Sequence, residues 1–202
     1  MNALFLNGTL KPSPEPSSTE ALARVLMERL ERDGVSCEHL RLVDHRIDPG
    51  VVSEALSEGD AWPAIRKRII AADILVMALP TWLGQPSSVA KRALERMDAL
   101  LSETQEDGRP IVYDKVAGVV VTGNEDGAHH VITEMAGALI DIGFTVPGQA
   151  WTYWNKGPGP GDEVYLTTDE RAWTDSTGRT AAQNLLAVAR ALRAHGLPVP
   201  AA

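Results

Sequence analysis

An α/β architecture, a doubly wound parallel sheet with helices on both faces, is the fold this sequence predicts. Three observations predict it. Short apolar runs alternate with amphipathic helical stretches along the chain. The runs at 74–79 (ILVMAL) and 116–121 (VAGVVV) are apolar throughout, as strands covered on both faces are. The 202 residues, 44% hydrophobic and 23% charged, fit a single domain over residues 1–202 and exclude disorder and fibrous structure.

The elements follow in order. Asn2 to Leu6 is the first strand, ended by Asn7-Gly8. A helix begins near Ser18, because Leu22, Val25, Leu26 and Leu30 recur at helical spacing. Ser17-Ser18-Thr19-Glu20 supplies its N-cap, and Gly34 follows its end. Ser36 to Val43 is the second strand. Asp44 to Gly59 is irregular, with room for a short helix. Ala61 to Ala72 is helical and tolerates Pro63 in its first turn. The third strand, Ile74 to Leu79, leads through the loop Pro80 to Pro86 into a helix from Ser87 to Leu101, with Ala90, Leu94, Met97 and Leu101 on one face. Val116 to Val121 is the fourth strand, and Thr122 to Ala128 the loop after it. His129 to Ile142 is helical and stops at Gly143. The fifth strand begins at Phe144 and runs to Trp154, with Pro147-Gly148 marking a bulge or an edge. An irregular segment, 155–178, contains the turn Gly157 to Gly161. The helix Thr180 to Ala194 closes the chain.

Charge and cysteine usage narrow the function classes. Nineteen Lys and Arg against 27 Asp and Glu leave a formal charge of −8, which argues against nonspecific nucleic-acid or anionic-membrane binding. One cysteine, Cys37, excludes an internal disulfide and any site of several thiolates. No apolar stretch is long enough to cross a bilayer, and the start MNALFLNG lacks the basic region of a signal peptide. The expectation is a cytoplasmic protein with no resident metal.

In doubly wound sheets ligands bind at the carboxyl ends of the strands, near the switch point. The strand order is either a Rossmann half or the flavodoxin-like one. The loop after the first strand, NGTLKPSPEPSST, carries neither GxGxxG nor a P-loop motif. It is a hydroxyl-rich turn feeding a helix N-terminus, which suits a phosphate. The competing reading is a proline-stiffened loop with an ordinary cap. In the second loop, PTWLGQPSS, Trp82, Leu83 and Gly84 offer apolar contact and backbone N–H groups to a flat aromatic ring. The competing reading is a turn whose Trp packs inward, with Ser87 or Ser88 as a plain N-cap. The third loop, TGNEDGAHH, has Gly123 and Gly127 for close backbone approach, while Glu125 and Asp126 suit a neutral ring edge better than a phosphate. His129 and His130 diverge on the helix and read as exposed N-terminal histidines.

These three loops, in this order and each after its own strand, resemble the FMN-binding loops of the NADPH-dependent FMN reductase family of flavodoxin-like proteins. The resemblance spans roughly Asn2 to Ile142. It implies a flavodoxin-like three-layer fold with five parallel strands in the order 2-1-3-4-5. It implies one FMN, its phosphate on Thr9, Lys11, Ser17, Ser18 and Thr19, and its ring against Pro80, Thr81, Trp82, Leu83 and Gly84 and against Thr122, Gly123, Asn124, Glu125, Asp126 and Gly127. It also implies NAD(P)H as co-substrate, a small-molecule electron acceptor, and a homodimer or homotetramer. One departure is the phosphate loop, where Gly8-Thr9-Leu10-Lys11 is followed by Pro12, Pro14 and Pro16 instead of a short run to the helix. A second separates the chain from related iron–sulfur flavoproteins, because Ile47 to Val52 contains no cysteine to ligate a cluster.

With FMN bound, the flavin carries the chemistry, so no catalytic side chain is assigned. Backbone N–H groups around Gly84 and Gly127 are then expected to face the ring. Trp151, Tyr153 and Trp154 either roof the pocket or a dimer contact, or pack in the core and at the sheet edge. Two further readings compete with the enzyme: a flavodoxin-type electron carrier without NAD(P)H activity, and a regulatory module that kept the fold and lost the flavin.

Overall fold

A computed structural model describes residues 1–200. Five parallel strands form the main sheet: β1 (Asn2–Asn7), β2 (Ser36–Arg41), β3 (Ile74–Trp82), β5 (Val116–Gly123) and β6 (Trp151–Asn155). Their spatial order is β2-β1-β3-β5-β6, which is 2-1-3-4-5 when the main strands alone are counted. A short strand, β4 (Gln85–Pro86), pairs antiparallel with the end of β3.

Period-2 alternation within the apolar strands divides the core in two. Leu4, Leu6, Leu75, Met77 and Leu79 face α2 (Trp62–Ala71), α3 (Ser88–Met97) and α4 (Ala128–Ile142). Ala3, Phe5, Ile74, Val76 and Ala78 face α1 (Ser18–Arg32) and α5 (Ala172–Ala194). Successive crossovers from β1 to β2 and from β2 to β3 pass on opposite faces, so the chain reverses between β1 and β3. The loops after β1, β3 and β5 therefore emerge side by side at one edge of the sheet.

Several boundaries differ from those the sequence predicts. Strand β2 stops at Arg41 and passes into a single 3-10 turn, Leu42–Asp44. The stretch after that turn, as far as Gly59, forms no α-helix. Strand β3 runs on to Trp82, so Pro80–Pro86 is mostly a hairpin instead of a loop. Its two turn residues, Leu83 and Gly84, have φ of 53° and 71°, the left-handed pair that a tight hairpin turn of matching twist needs. Helix α3 ends at Met97 and continues as 3-10 turns to Ser102. It buries Ala90, Ala93, Arg96 and Met97, whereas Leu101 is half exposed. The last strand does not start at Phe144. Only Thr145 bridges to Val116, Pro147 has no N–H to donate, and regular pairing begins at Trp151. Trp151, Tyr153 and Trp154 are thus strand residues.

Helix α5 starts at Ala172, ahead of the predicted Thr180. Its first turns are rich in Thr, Ser and Gly, poor helix formers that hide the start from any propensity argument. Tertiary bonds hold those turns. Thr174 donates to the carbonyl of Tyr153 at 2.9 Å, and Thr152 bonds the Thr177 hydroxyl at 2.7 Å. Gly178 lets the helix approach α1: a Cβ there would lie 3.1 Å from the Leu26 side chain.

Candidate functional site

The site is built from the carboxyl ends of β1, β3 and β5. At the end of β1, buried Asn7 accepts the Thr9 N–H on Oδ1 at 2.9 Å and faces His39 Nε2 through Nδ2 at 3.2 Å. His39 must accept there, so its proton sits on Nδ1. Burial pushes its pKa down, which favours that neutral ring. Gly8 packs onto α3, where a Cβ would lie 2.9 Å from both Ala90 and Ser87. Ser87 sits at the N-cap of α3 but does not cap it with its hydroxyl. The hydroxyl instead donates to the Gly8 carbonyl at 2.6 Å, tying two of the site's loops together.

The proline-rich segment after Gly8 is held by side chains that sequence reasoning did not single out. Arg41, at the end of β2, donates from Nη1 to the carbonyls of Lys11 and Pro12 at 3.2 and 3.0 Å. Asp44 accepts the Ser13 N–H at 2.9 Å and its hydroxyl at 2.5 Å. The segment delivers Ser17 to its predicted place as N-cap of α1, its hydroxyl accepting the Glu20 N–H at 3.2 Å. The N–H groups of Ser18 and Thr19 have no acceptor among the described residues and are the open donors of that helix end. The Thr19 hydroxyl, buried, meets that of Thr122 at 2.8 Å and joins the first loop to the third.

One cleft gathers most of the expected residues: Thr9, Lys11, Ser17, Ser18, Thr19, Pro80, Thr81, Trp82, Thr122, Gly123 and Asn124. Leu83, Gly84, Glu125, Asp126 and Gly127 stand outside its lining. Leu83 is at the hairpin tip and 89% exposed. Gly84 and Gly127 lie back to back, so close that a Cβ on Gly127 would sit 2.7 Å from the Gly84 Cα. The Gly84 N–H points at the Glu125 carboxylate, 3.4 Å away, and not at the cleft. Their role is to lock the second loop to the third. His129 lies outside too, with its ring edge-on to Tyr153 and Trp151 at 4.9 and 5.6 Å.

The cleft also contains Leu10, Trp154, Val164 and Tyr165. Trp154 faces α1 and α5, whereas Trp151 and Tyr153 pack on the opposite side of the sheet. Val164 and Tyr165 come from the irregular segment between β6 and α5, which folds back over the third loop. Gly161 donates to the Asn124 carbonyl at 2.9 Å, and the Asn124 amide donates to the Gly161 carbonyl at 2.6 Å. Lys156 bridges Glu163 and Glu170 at 3.0 and 2.7 Å. Tyr165 is fully buried with its hydroxyl on Asp175 at 2.5 Å. Nothing local marks Val164 or Tyr165 in sequence, since only the fold-back brings them to the cleft.

The lining accommodates a flat ring with a phosphate tail. One end offers the open N–H groups of Ser18 and Thr19, hydroxyls and Lys11. In the second-loop wall the Thr81 hydroxyl is buried and has no partner among the described residues.

A switch-point cleft with an anion-type helix terminus and no dinucleotide glycine motif defines a flavodoxin-like protein of the FMN-binding kind. Residues 1–158 match the NADPH-dependent FMN reductase family, and the chain belongs to it. FMN and NAD(P)H are that family's cofactor and co-substrate. The 8-demethyl-8-aminoriboflavin-5′-phosphate synthase of Streptomyces davaonensis is 37% identical over 172 residues, 80% of this chain and 66% of that protein. A Mycobacterium bovis protein described as the divalent metal cation transporter MntH is 38% identical over 208 residues, covering 100% of this chain but 30% of that protein. The chain thus spans less than two thirds of either relative. No helix among the described residues is long and apolar enough to cross a membrane. The crystal structure of RosB with bound 8-demethyl-8-formylriboflavin-5′-phosphate is similar at a TM-score of 0.86 and 32% identity, over 96% of this chain and 81% of that one.

Proposed function

We propose that this protein is an NAD(P)H-dependent flavoprotein oxidoreductase that holds FMN in the cleft and passes reducing equivalents to a small acceptor of the quinone or flavin type. The observation that carries the reading is the convergence of the three loops on one cleft, with open N–H donors of a helix terminus in its wall. Bound FMN supplies the hydride and electron chemistry.

The chain supplies position. Ser18 and Thr19 offer backbone and hydroxyl donors to the phosphate, and Pro80 to Trp82 a wall for the ring. Trp82, 52% exposed, stands at the mouth, where an incoming planar ring has apolar surface to meet. No nucleophile is needed. Cys37 lies away on β2, its thiol pushed up to about 12 by burial and then by Glu31. Assembly as a homodimer or homotetramer belongs to the same proposal.

Incubation with FMN, desalting and anaerobic addition of NADPH test the reading. Flavin absorption that stays with the protein and bleaches supports it. Flavin that stays but resists both NADPH and NADH indicates an electron carrier, and no retained flavin overturns the assignment of the cleft. Replacing Ser18 and Thr19 together with alanine is expected to weaken FMN binding roughly tenfold, through lost hydroxyl donors. Alanine keeps both backbone N–H groups, so unchanged affinity in a fluorescence titration would remove the two hydroxyls from the phosphate site.

A second reading draws on the flavin-modifying relatives: the flavin phosphate is a substrate transformed in the cleft. Mass spectrometry of the flavin after turnover separates the two. An unchanged mass supports the oxidoreductase, and an altered one the flavin-modifying enzyme.

A further inference from the structure

The phosphate end of the cleft poses an electrostatic problem. Glu20 follows Thr19 directly in the first turn of α1, beside the N–H groups that would meet an anion. A carboxylate there competes with a phosphate for the same helix terminus. The polypeptide leading into that terminus is long and carries three prolines, so its path must be held from outside. One side chain addresses both difficulties. Arg41 is 8% exposed and clamps Glu20 Oε2 with Nε at 3.0 Å and Nη2 at 2.6 Å, while Nη1 donates to the Lys11 and Pro12 carbonyls. Strand register sets Arg41 opposite Asn7, so its position is as rigid as the sheet. Arg24 also reaches Glu20, at 3.2 Å on Oε1, but its side chain is 55% exposed and screened by water.

We propose that Arg41 is a positioning residue for flavin phosphate. It draws the Glu20 charge away from the anion site and pins the proline-rich loop so that Thr9, Ser18 and Thr19 converge on the phosphate. Its effect is confined to the phosphate end, so it distinguishes FMN from riboflavin, which has the same ring and no phosphate. Lysine replaces it poorly, since one ammonium cannot clamp a carboxylate and reach two carbonyls together. The proposal rests on the assignment of the cleft to FMN.

Fluorescence titration of the wild-type chain with FMN and with riboflavin comes first. A wild type that binds neither fails the FMN assignment, and this proposal with it, before any variant is made. Given wild-type binding, Arg41→Gln is expected to weaken FMN by about tenfold or more and to leave riboflavin within about twofold. Adding Glu20→Gln to that variant is expected to recover part of the FMN affinity, because the uncompensated carboxylate is gone. Should Arg41→Gln fold poorly by circular dichroism, Arg41→Lys carries the test, with a smaller loss still confined to FMN. Equal loss for both ligands would make Arg41 a mere scaffold residue and overturn the proposal. No loss for either ligand overturns it as well, with the FMN assignment intact.

Discussion

Replacing Arg96 with alanine is expected to remove about 3–5 kcal/mol of folding stability, the usual consequence of stranding one member of a buried ion pair. Arg96 and Asp60 are both inaccessible and meet at 2.9 Å. The guanidinium also donates to the carbonyls of Val52, Asp48 and Glu54 at 3.1, 2.9 and 2.7 Å, and it stacks on buried Trp62 at 5.5 Å. One side chain on α3 thereby organises the long irregular segment between β2 and α2, which has no ladder of its own. In the variant Asp60 keeps N–H groups from Leu56 and Trp62 but loses its cation, and three carbonyls lose their donor. Burial raises the Asp60 pKa, but the N–H bonds and Arg96 outweigh it and hold the carboxyl below its ordinary value. A depressed folded-state pKa contributes stability above the unfolded value near 3.9, lost as pH falls through the folded one. Acid unfolding of Arg96→Ala is therefore expected at higher pH than in the wild type. Urea unfolding at neutral pH reads the main effect, and a loss under about 1 kcal/mol would show that the segment does not depend on this tie.

The second large effect is expected at Gly127. Its φ is +107°, a conformation that costs a residue with a side chain of order 1–3 kcal/mol. An alanine Cβ would also fall 2.7 Å from the Gly84 Cα and 3.2 Å from its carbonyl oxygen, and backbone has no rotamer with which to give way. The two loops must part. Because Pro80 to Trp82 and Thr122 to Asn124 line the cleft on either side of that contact, Gly127→Ala is expected to lower FMN affinity beyond tenfold, while the far end of the sheet is unaffected. Gly137→Ala, on an exposed turn of α4 with open space at its Cβ, is the control. Equal flavin retention in the two variants would show that the glycine pair does not set the cleft.

Much of the architecture was legible because its signals are local. Apolar runs mark β1, β3 and β5. The helical spacing of Leu22, Leu26 and Leu30 marks α1, and all three are fully buried. The Ser17 cap and the Gly143 stop behave as their chemistry requires. The failures share a cause. The hairpin at Leu83-Gly84 was hidden because leucine seldom adopts positive φ. The start of α5 was hidden because threonine and glycine there are held by tertiary bonds to β6. The lining residues Val164 and Tyr165 reach the cleft through Asn124 and Gly161, which stand far apart in sequence.

The sequence by itself determined the alternation of strands and helices, the strands that lie at the centre of the sheet, and the three loops that meet at one edge. Periodicity, capping chemistry and connection handedness act over a few residues at a time, and they suffice for that much. Only the tertiary structure decided which residues of those loops turn into the cleft and which turn away. Gly84 and Gly127 spend their freedom on each other, Ser87 ties Gly8 instead of capping its own helix, and Arg41 and Asp44 hold a loop from another strand. These choices rest on contacts between residues remote in sequence, whose partners become neighbours only when the sheet closes the distance.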